Sequence, residues 1–140
     1  MPTIFSRIIA GEIPGTFVWK DDRSVGFLSI NPVQPGHTLV VPRDEIDRWT
    51  DLSPDLAAHL MVVSHTIARA QQAAYQPLRV GLLIAGLEVP HTHLHVIPIN
   101  HSETDLHLDH AHDATPDELG AEAERIRAAL RELGGDGVSD

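Results

Sequence analysis

Three short strand-like segments, separated by only a few residues, occupy the first third of the chain and restrict how it can fold. They cover residues 16–20, 25–30 and 37–41, and an Asp21-Asp22 turn signal lies between the first two. Parallel neighbours need crossover connections of roughly a dozen residues or more, and these gaps are too short to provide them. The three segments are therefore predicted to pair antiparallel.

A long amphipathic segment follows these strands. Ser53 can cap a helix whose first turn holds a proline and an acid, and both residue types favour that position. Apolar residues then recur at helical spacing as far as about Tyr75, which predicts one helix with a single buried stripe. The stripe consists of Leu56, Leu60, Val63, Ile67 and Ala70.

The remaining segments complete an α+β order of elements. Thr3 can cap a short helix at the start, residues 80–84 and 92–99 have the pattern of strands, and a capping box predicts a last helix over residues 115–133. Because the sequence has no internal repeat and no long linker, we predict a single domain over residues 1–140. Outside these elements we expect a His/Asp-rich loop at 100–114 and a loose tail at 134–140.

Composition excludes several classes of partner and site. Ten Lys and Arg face twenty Asp and Glu, a formal charge of −10 that repels nucleic acid and acidic membranes. The absence of cysteine excludes disulfides and thiolate metal sites. No apolar run reaches the roughly 20 residues of a membrane span, and no secretory signal is visible, so we expect a cytoplasmic protein.

The run from His91 to His95 carries the clearest chemical signal. Side chains alternate along a strand, so His91, His93 and His95 share one face, with neighbours roughly 6.5 Å apart along the strand. We expect that spacing to keep the rings out of direct contact and to span one phosphate group. A neutral imidazole can attack phosphorus while a protonated neighbour donates to an oxygen. His37 could orient the row from behind.

Other functions of these histidines stay open at this point. Alternating histidines can hold zinc if His37 or a carboxylate supplies a further ligand. The row could also belong to a module that binds a phosphorylated ligand with little or no turnover. The segment 105–113 could bind a divalent metal loosely, although a solvated loop is the favoured interpretation.

The motif extends into a resemblance to a known family. His91-Thr92-His93-Leu94-His95-Val96-Ile97 matches the signature of histidine triad (HIT) proteins, and further segments resemble their nucleoside phosphoramidase branch. The likeness covers residues 3 to about 99. The further segments are Thr3 to Ile9, Glu12 to Pro14, Asp21 to Arg23, Phe27-Leu28, Ile30 to Pro32 and Gly36 to Arg43.

The resemblance implies a five-stranded antiparallel sheet with flanking helices that pairs as a homodimer. It also implies cleavage at the α-phosphate of a purine nucleotide or nucleoside phosphoramidate, without a cofactor. His93 matches the nucleophile that becomes nucleotidylated, His95 matches the residue at the phosphate and leaving group, and His91 and His37 match a hydrogen-bonded pair behind them. The apolar pocket around the base would consist of Ile4, Phe5, Ile8, Phe27 and Ile30.

Three departures from the family pattern bear on substrate binding. Ser29 stands where the family has an aspartate that holds the ribose hydroxyls. The loop 84–90 is shorter than usual and lacks the Asn and the polar pair that cradle phosphate. Some members bind structural zinc through two cysteines, and those positions are Thr3 and Ser6, so that site is absent. In the short loop, Leu87 and Glu88 replace the polar pair, and Glu88 and Val89 are expected beside the nucleotide together with Ser29.

Overall fold

The three strand segments at the start of the chain form an antiparallel meander. The computed structural model describes residues 2–140, with β1 at Phe17–Lys20, β2 at Ser24–Leu28 and β3 at Thr38–Pro42. β2 pairs with both neighbours in antiparallel register. The predicted pairing is confirmed, and the strand ends agree with the predicted ones to within two residues.

The two later strands enter the same sheet out of chain order. β4 covers Arg79–Leu83 and β5 covers Leu94–Ile99, and the sheet order is β1-β2-β3-β5-β4 with antiparallel neighbours throughout. β5 therefore lies between β3 and β4, and His95 is paired with Leu39 on one side and Leu83 on the other. This register brings the histidine run next to the β3 segment that follows His37.

Three α-helices begin where the capping residues predict. α1 covers Ile4–Ile9, α2 covers Pro54–Tyr75 and α3 covers Pro116–Glu132, and the side chains of Thr3, Ser53 and Thr115 each accept a backbone N–H of the first turn. Among residues 2–140, no helix is both long and apolar enough to cross a membrane. Short 3₁₀ turns cover Trp49–Asp51, Glu103–Leu106 and Leu108–His110.

The sheet separates a large core from a small one. The large core packs the predicted stripe of α2 and the inner side of α3 against one face of the sheet. The α2 stripe is fully buried there, as predicted, so it is not available as a subunit interface. The small core lies under α1 and contains Phe5, Val25, Phe27, Leu39 and Val41.

The C-terminal tail is attached to the edge of the sheet, which differs from the loose tail expected. Lys20 N–H donates to the carbonyl of Gly137 at 2.7 Å, and Ser139 N–H donates to the carbonyl of Val18 at 3.0 Å. Val138 bridges to Trp19, whose ring leaves no room for a side chain at Gly137. The tail thus covers the free edge of β1, and its glycines fit because of close approach to the indole.

Candidate active site

The histidine run lies where the chain enters the sheet. β5 begins at Leu94, two residues later than predicted, because Thr92 N–H and its hydroxyl both donate to the carbonyl of Ile46 instead of pairing within the sheet. His91, His93 and His95 are all buried. Buried polar groups need hydrogen-bond partners, so the partners of each ring identify its tautomer.

His93 is held by the backbone of its neighbour. Its Nδ1 lies 2.7 Å from the carbonyl oxygen of His91. A carbonyl can only accept a hydrogen bond, so Nδ1 carries the proton and Nε2 keeps a free lone pair. The ring of Phe5 packs edge-on against His93 at a centroid distance of 5.0 Å and fixes its plane. Nε2 of His93 therefore has a free lone pair and a fixed orientation.

Two hydrogen bonds in series, referred to below as the relay, determine which ring nitrogen of His95 carries the proton. Val33 N–H donates to Nδ1 of His37 at 3.2 Å, so the proton of His37 is on Nε2. That Nε2 lies 2.9 Å from Nδ1 of His95 and must donate to it. The remaining proton of His95 is then on Nε2, which is buried and has no partner among residues 2–140. His95 thus presents an unused N–H donor.

The partner of His37 differs from the one that the resemblance implied. The resemblance placed His37 in a hydrogen-bonded pair with His91, whereas the structure places it against His95. The reason is the sheet register: β3 and β5 are neighbours, Leu39 is paired with His95, and His37, two residues before Leu39, is therefore a diagonal neighbour of His95 on the same face. His37 supports the donor and not the ring behind the nucleophile.

Both rings of this relay are neutral. Burial, followed by repulsion from His95 and His93, lowers the pKa of His37 from 6.5 to about 3. Burial, followed by repulsion from His93, lowers the pKa of His95 from 6.5 to about 4. The sequence predicted a protonated neighbour beside the nucleophile, but the free protein presents a neutral donor at ordinary pH.

The rings of His93 and His95 touch, contrary to the spacing argument. Their centroids are 4.9 Å apart with an edge-to-face tilt. The strand repeat measures distances between backbone positions, while each imidazole extends several bonds beyond its Cα and can lean towards the next. The nucleophilic nitrogen and the unused N–H therefore belong to adjacent rings that can face one small group.

His91 anchors a polar cluster that links α1 to the histidine run. Its Nε2 donates to the carbonyl of Pro42 at 2.8 Å, and its Nδ1 accepts from the hydroxyl of Thr3 at 2.8 Å. Glu45 accepts from Thr3 N–H at 2.7 Å and from the hydroxyl of Ser6 at 2.8 Å. These hydrogen bonds, from Thr3 first and then Ser6, lower the pKa of Glu45.

No local pattern indicates a role for Glu45, because its partners lie about forty positions away in the chain. The cluster also bears on the family's zinc site. Hydroxyls stand where that site has thiolates, and both are engaged in hydrogen bonds to their neighbours. The residues present do not fit a structural zinc ion there.

The five residues predicted to surround the base are only partly brought together. Phe5 and Phe27 are buried with ring centroids 5.5 Å apart, and Ile8 packs against the same small core. Ile4 and Ile30 are 44% and 62% exposed and lie outside that core. Val89, expected beside the nucleotide, does pack against the small core.

Ser29 and Glu88 lie in different surroundings. Ser29 is half-buried, its hydroxyl accepts from Asn31 N–H at 3.2 Å, and its own N–H donates to the carbonyl of His37 at 3.0 Å. Glu88 is exposed, next to Leu87, which is 91% exposed. The loop that usually cradles phosphate therefore offers no side-chain donor at this site.

A cavity of about 360 Å³ opens beside His93. Its walls come from residues 47–50, which follow β3, from residues 84–86 after β4, and from Thr92 and His93. Sequence reasoning missed residues 47–50, because they contain no motif and reach the site only through the fold.

A separate group of possible metal ligands lies in the 105–113 segment. Ligand atoms of His107, Asp109 and His110 lie within 4.8 Å of one another, and all three side chains are exposed. Within residues 2–140, this group and not the histidine run has the ligand spacing of a metal site. Loose metal binding by this segment stays an open alternative to the solvated loop that the sequence favours, and none of the three residues belongs to the candidate active site.

Comparison with known proteins shows which proteins this chain is similar to. The family model of the HIT domain matches residues 10–102. The Bacillus subtilis protein named hit is 34% identical over 125 residues, covering 83% of this chain and 86% of its own length. Adenosine 5′-monophosphoramidase hnt1 of Schizosaccharomyces pombe is 29% identical over 133 residues, covering 94% of this chain and all of its own.

A solved structure has a similar fold. The zinc-bound histidine triad family protein from Mycobacterium smegmatis superposes with a TM-score of 0.80 at 28% identity, and the match covers 94% of both chains. The five-stranded antiparallel sheet with flanking helices that the sequence predicted is thus confirmed as the fold of that family.

Proposed function

Because the chain belongs to the HIT-domain family, we propose that it cleaves a phosphorus bond at the α-phosphate of a purine nucleotide derivative through a nucleotidyl-His93 intermediate. The observation that carries the proposal is the pair of complementary ring nitrogens. The Nε2 of His93 has a free lone pair, and the adjacent Nε2 of His95 has a proton with no partner among residues 2–140. One supplies a nucleophile and the other a donor for oxygen.

The first step forms a bond between Nε2 of His93 and phosphorus and breaks the bond from phosphorus to the leaving group. The proton stays on Nδ1 of His93 and donates to the carbonyl oxygen of His91, which stabilises the positive charge that develops on the ring. The N–H of His95 binds a phosphate oxygen or the leaving atom. An amine leaving group also needs a proton, and the negative phosphate favours the uptake of one from solvent by the relay of His37 and His95.

The second step is hydrolysis or transfer. Water, or another acceptor, attacks phosphorus, the bond to Nε2 of His93 breaks, and the lone pair returns to the ring. The acceptor's proton leaves to solvent or to the relay. The base would lie against the small core at Phe5, Phe27, Ile8 and Val89, which is the apolar surface next to His93. The name of the hnt1 relative supports an adenosine phosphoramidate as the first substrate to examine.

Mass spectrometry of the intact protein tests the intermediate. The purified protein is mixed with adenosine 5′-monophosphoramidate or diadenosine triphosphate and quenched in a time series. We expect an added AMP mass that maps to His93 and is absent in His93→Ala. The matched control is His65→Ala, an exposed histidine of α2. An adduct on another residue, or turnover that survives in His93→Ala, contradicts the proposal.

A binding module is the second candidate, and Ser29 and the loop support it. The ribose position has no carboxylate, and the phosphate loop has an acid in place of a polar donor. Such a protein would bind AMP in calorimetry and form no adduct at any quench time. The same samples therefore distinguish the two functions.

A homodimer is part of the proposal. β4 is an edge strand of the sheet, and its Leu82 is exposed. Met61 and Val62 are exposed on α2, beside the stripe that is buried in the core. A symmetric pair would use the same surface of each subunit and could cover these side chains in both. Light scattering should give about twice the 15.3 kDa of one chain, and a clean monomer mass at micromolar concentration contradicts it.

A further inference from the structure

The cavity beside His93 has one cation in its wall. Arg48 is the single Lys or Arg among its lining residues, it is exposed, and it forms no ion pair with any carboxylate that the structure describes. Its guanidinium is therefore free to bind an anion. The small core, whose Phe5 also packs against His93, is apolar and offers no charge.

We infer that this cavity is the subsite for the leaving group and that Arg48 selects leaving groups with a negative charge. The inference rests on the proposed function, since the cavity shares His93 with the reacting phosphate. A phosphoryl group attacked in line has its leaving group on the side away from the nucleophile. The cavity extends from His93 towards residues 47–50, and at about 360 Å³ it has room for more than one phosphate.

Charge explains why Arg48 matters in this chain. The net charge of −10 opposes an anionic substrate, and the loop 84–90 contributes Glu88 and apolar residues but no cation. An anionic leaving group that enters the cavity then depends on one positive side chain. Asp47 lies in the same wall and opposes that effect, so Asp47→Asn should favour anionic leaving groups.

A matched pair of amine substrates isolates the charge of the leaving group. AMP joined through nitrogen to β-alanine leaves a free carboxylate, whereas AMP joined to propylamine leaves a neutral chain of similar size. ADP, which would release phosphate, tests a phosphate against a carboxylate. Single-turnover kcat/KM is measured for the wild type, for Arg48→Gln and for Arg69→Gln, an exposed α2 cation used as the control.

Arg48→Gln should lower kcat/KM by about tenfold on the β-alanine compound or on ADP, and should leave the propylamine compound within about twofold. Arg69→Gln should change none of them. A loss confined to one anionic substrate identifies which anion the subsite takes. Equal losses on the neutral and anionic compounds overturn the inference while the His93 adduct still supports the proposed function.

A binding experiment tests the subsite even if no substrate turns over. Trp49 lines the cavity, while the indole N–H of Trp19 is bound to Asp21 at 2.7 Å and serves as an internal control. In NMR titrations with pyrophosphate, the indole N–H signal of Trp49 should shift in the wild type and not in Arg48→Gln. A Trp49 signal that does not respond in the wild type, or that responds equally in Arg48→Gln, overturns the inference.

Discussion

The cluster of four buried histidines and the loop 85–90 differ sharply in how many hydrogen bonds their side chains form. Around His37, His91, His93 and His95, every ring nitrogen has a partner in the described chain except the Nε2 atoms of His93 and His95. In the loop 85–90, Leu87 and Glu88 are exposed, and no side chain of the loop forms a hydrogen bond to the rest of residues 2–140. Hydrogen bonds hold the histidine cluster in place, whereas the side chains of the loop form none within the part of the chain that the structure describes.

The difference indicates which part of the site is fixed by the fold. The histidine cluster is held by β5 and by the segments that lead into β3 and β5, because its partners are backbone groups of His91, Val33 and Pro42, the hydroxyl of Thr3 and, for His95, the ring of His37. In the proposed reaction, the groups expected to bind the ribose and the leaving group lie in loops, which can change without disturbing that sheet. Under that proposal, chemistry at phosphorus is separable from selection among ribose and leaving groups, and each prediction below addresses one side of that separation.

The largest effect should follow removal of the unused donor. His95→Ala keeps the proposed nucleophile, His93, but removes the N–H that would face the phosphate in the proposed reaction. We expect the rate of adduct formation to fall by about 10²–10⁴-fold, since that is the usual loss for a general acid or oxyanion donor. The loss should be larger for an amine leaving group than for one that needs no proton.

Rapid quench with an alkyl phosphoramidate and with a nitrophenyl ester of AMP measures both rates. Nucleotide affinity from calorimetry serves as the control, because the apolar contacts at the small core are retained. Equal losses on the two substrates would show that His95 binds a phosphate oxygen and does not act on the leaving group, whereas no loss on either would leave it a purely structural partner of His37.

The separation in the chain between contacting residues decides how much of the structure could be predicted from the sequence. The bounds of α2 were predicted because its cap, its proline and its stripe are local in the chain. The pairing of His37 with His95 and the anchoring of Thr3 by Glu45 depend on contacts between residues 42 to 58 positions apart. Local spacing carries no information about such contacts, and a family motif carries it only where the partner is itself part of the motif.

The second prediction uses pH to test whether the fold keeps His37 and His95 neutral. The pKa values of His37 and His95 in the fold, about 3 and about 4, lie below the ordinary 6.5. As the pH falls below 6.5, the unfolded chain binds protons first, so their contribution to stability is complete above 6.5 and is lost as the pH falls towards 4. Each ring should contribute a slope of up to about 1.4 kcal/mol per pH unit in that window.

Urea denaturation between pH 7 and pH 4.5 measures the free energy of unfolding. His37→Gln and His95→Asn should each flatten the slope, because an amide does not titrate, even if the variants are less stable at pH 7. His65→Ala, in an exposed histidine, is the control. A slope unchanged in both variants would show that the two rings are not held neutral by the fold.

The third prediction adds a carboxylate at the position expected to bind the ribose. Ser29→Asp adds a carboxylate that can still accept Asn31 N–H and can also bind the ribose hydroxyls. A charge-assisted pair of this kind should raise the affinity for AMP by about tenfold. Ser29→Asn, which has the same size without the charge, is the matched control in calorimetry. If neither variant binds AMP more tightly, the ribose lies away from residue 29.

The smallest effect is expected for a substitution in the loop 85–90. Glu88 is exposed and has no ion-pair partner among the residues described, so its charge acts only at a distance and through water. If the loop approaches the phosphate when substrate binds, Glu88→Gln removes a repulsion and should raise kcat/KM by about two- to threefold at low salt. The gain should vanish at about 0.5 M salt, where exposed charges are screened. Glu132→Gln, an exposed acid at the end of α3, controls for the change in net charge. A gain that persists in high salt would mean that the carboxylate touches the substrate directly, and no gain at either salt would place the loop away from the phosphate throughout the reaction.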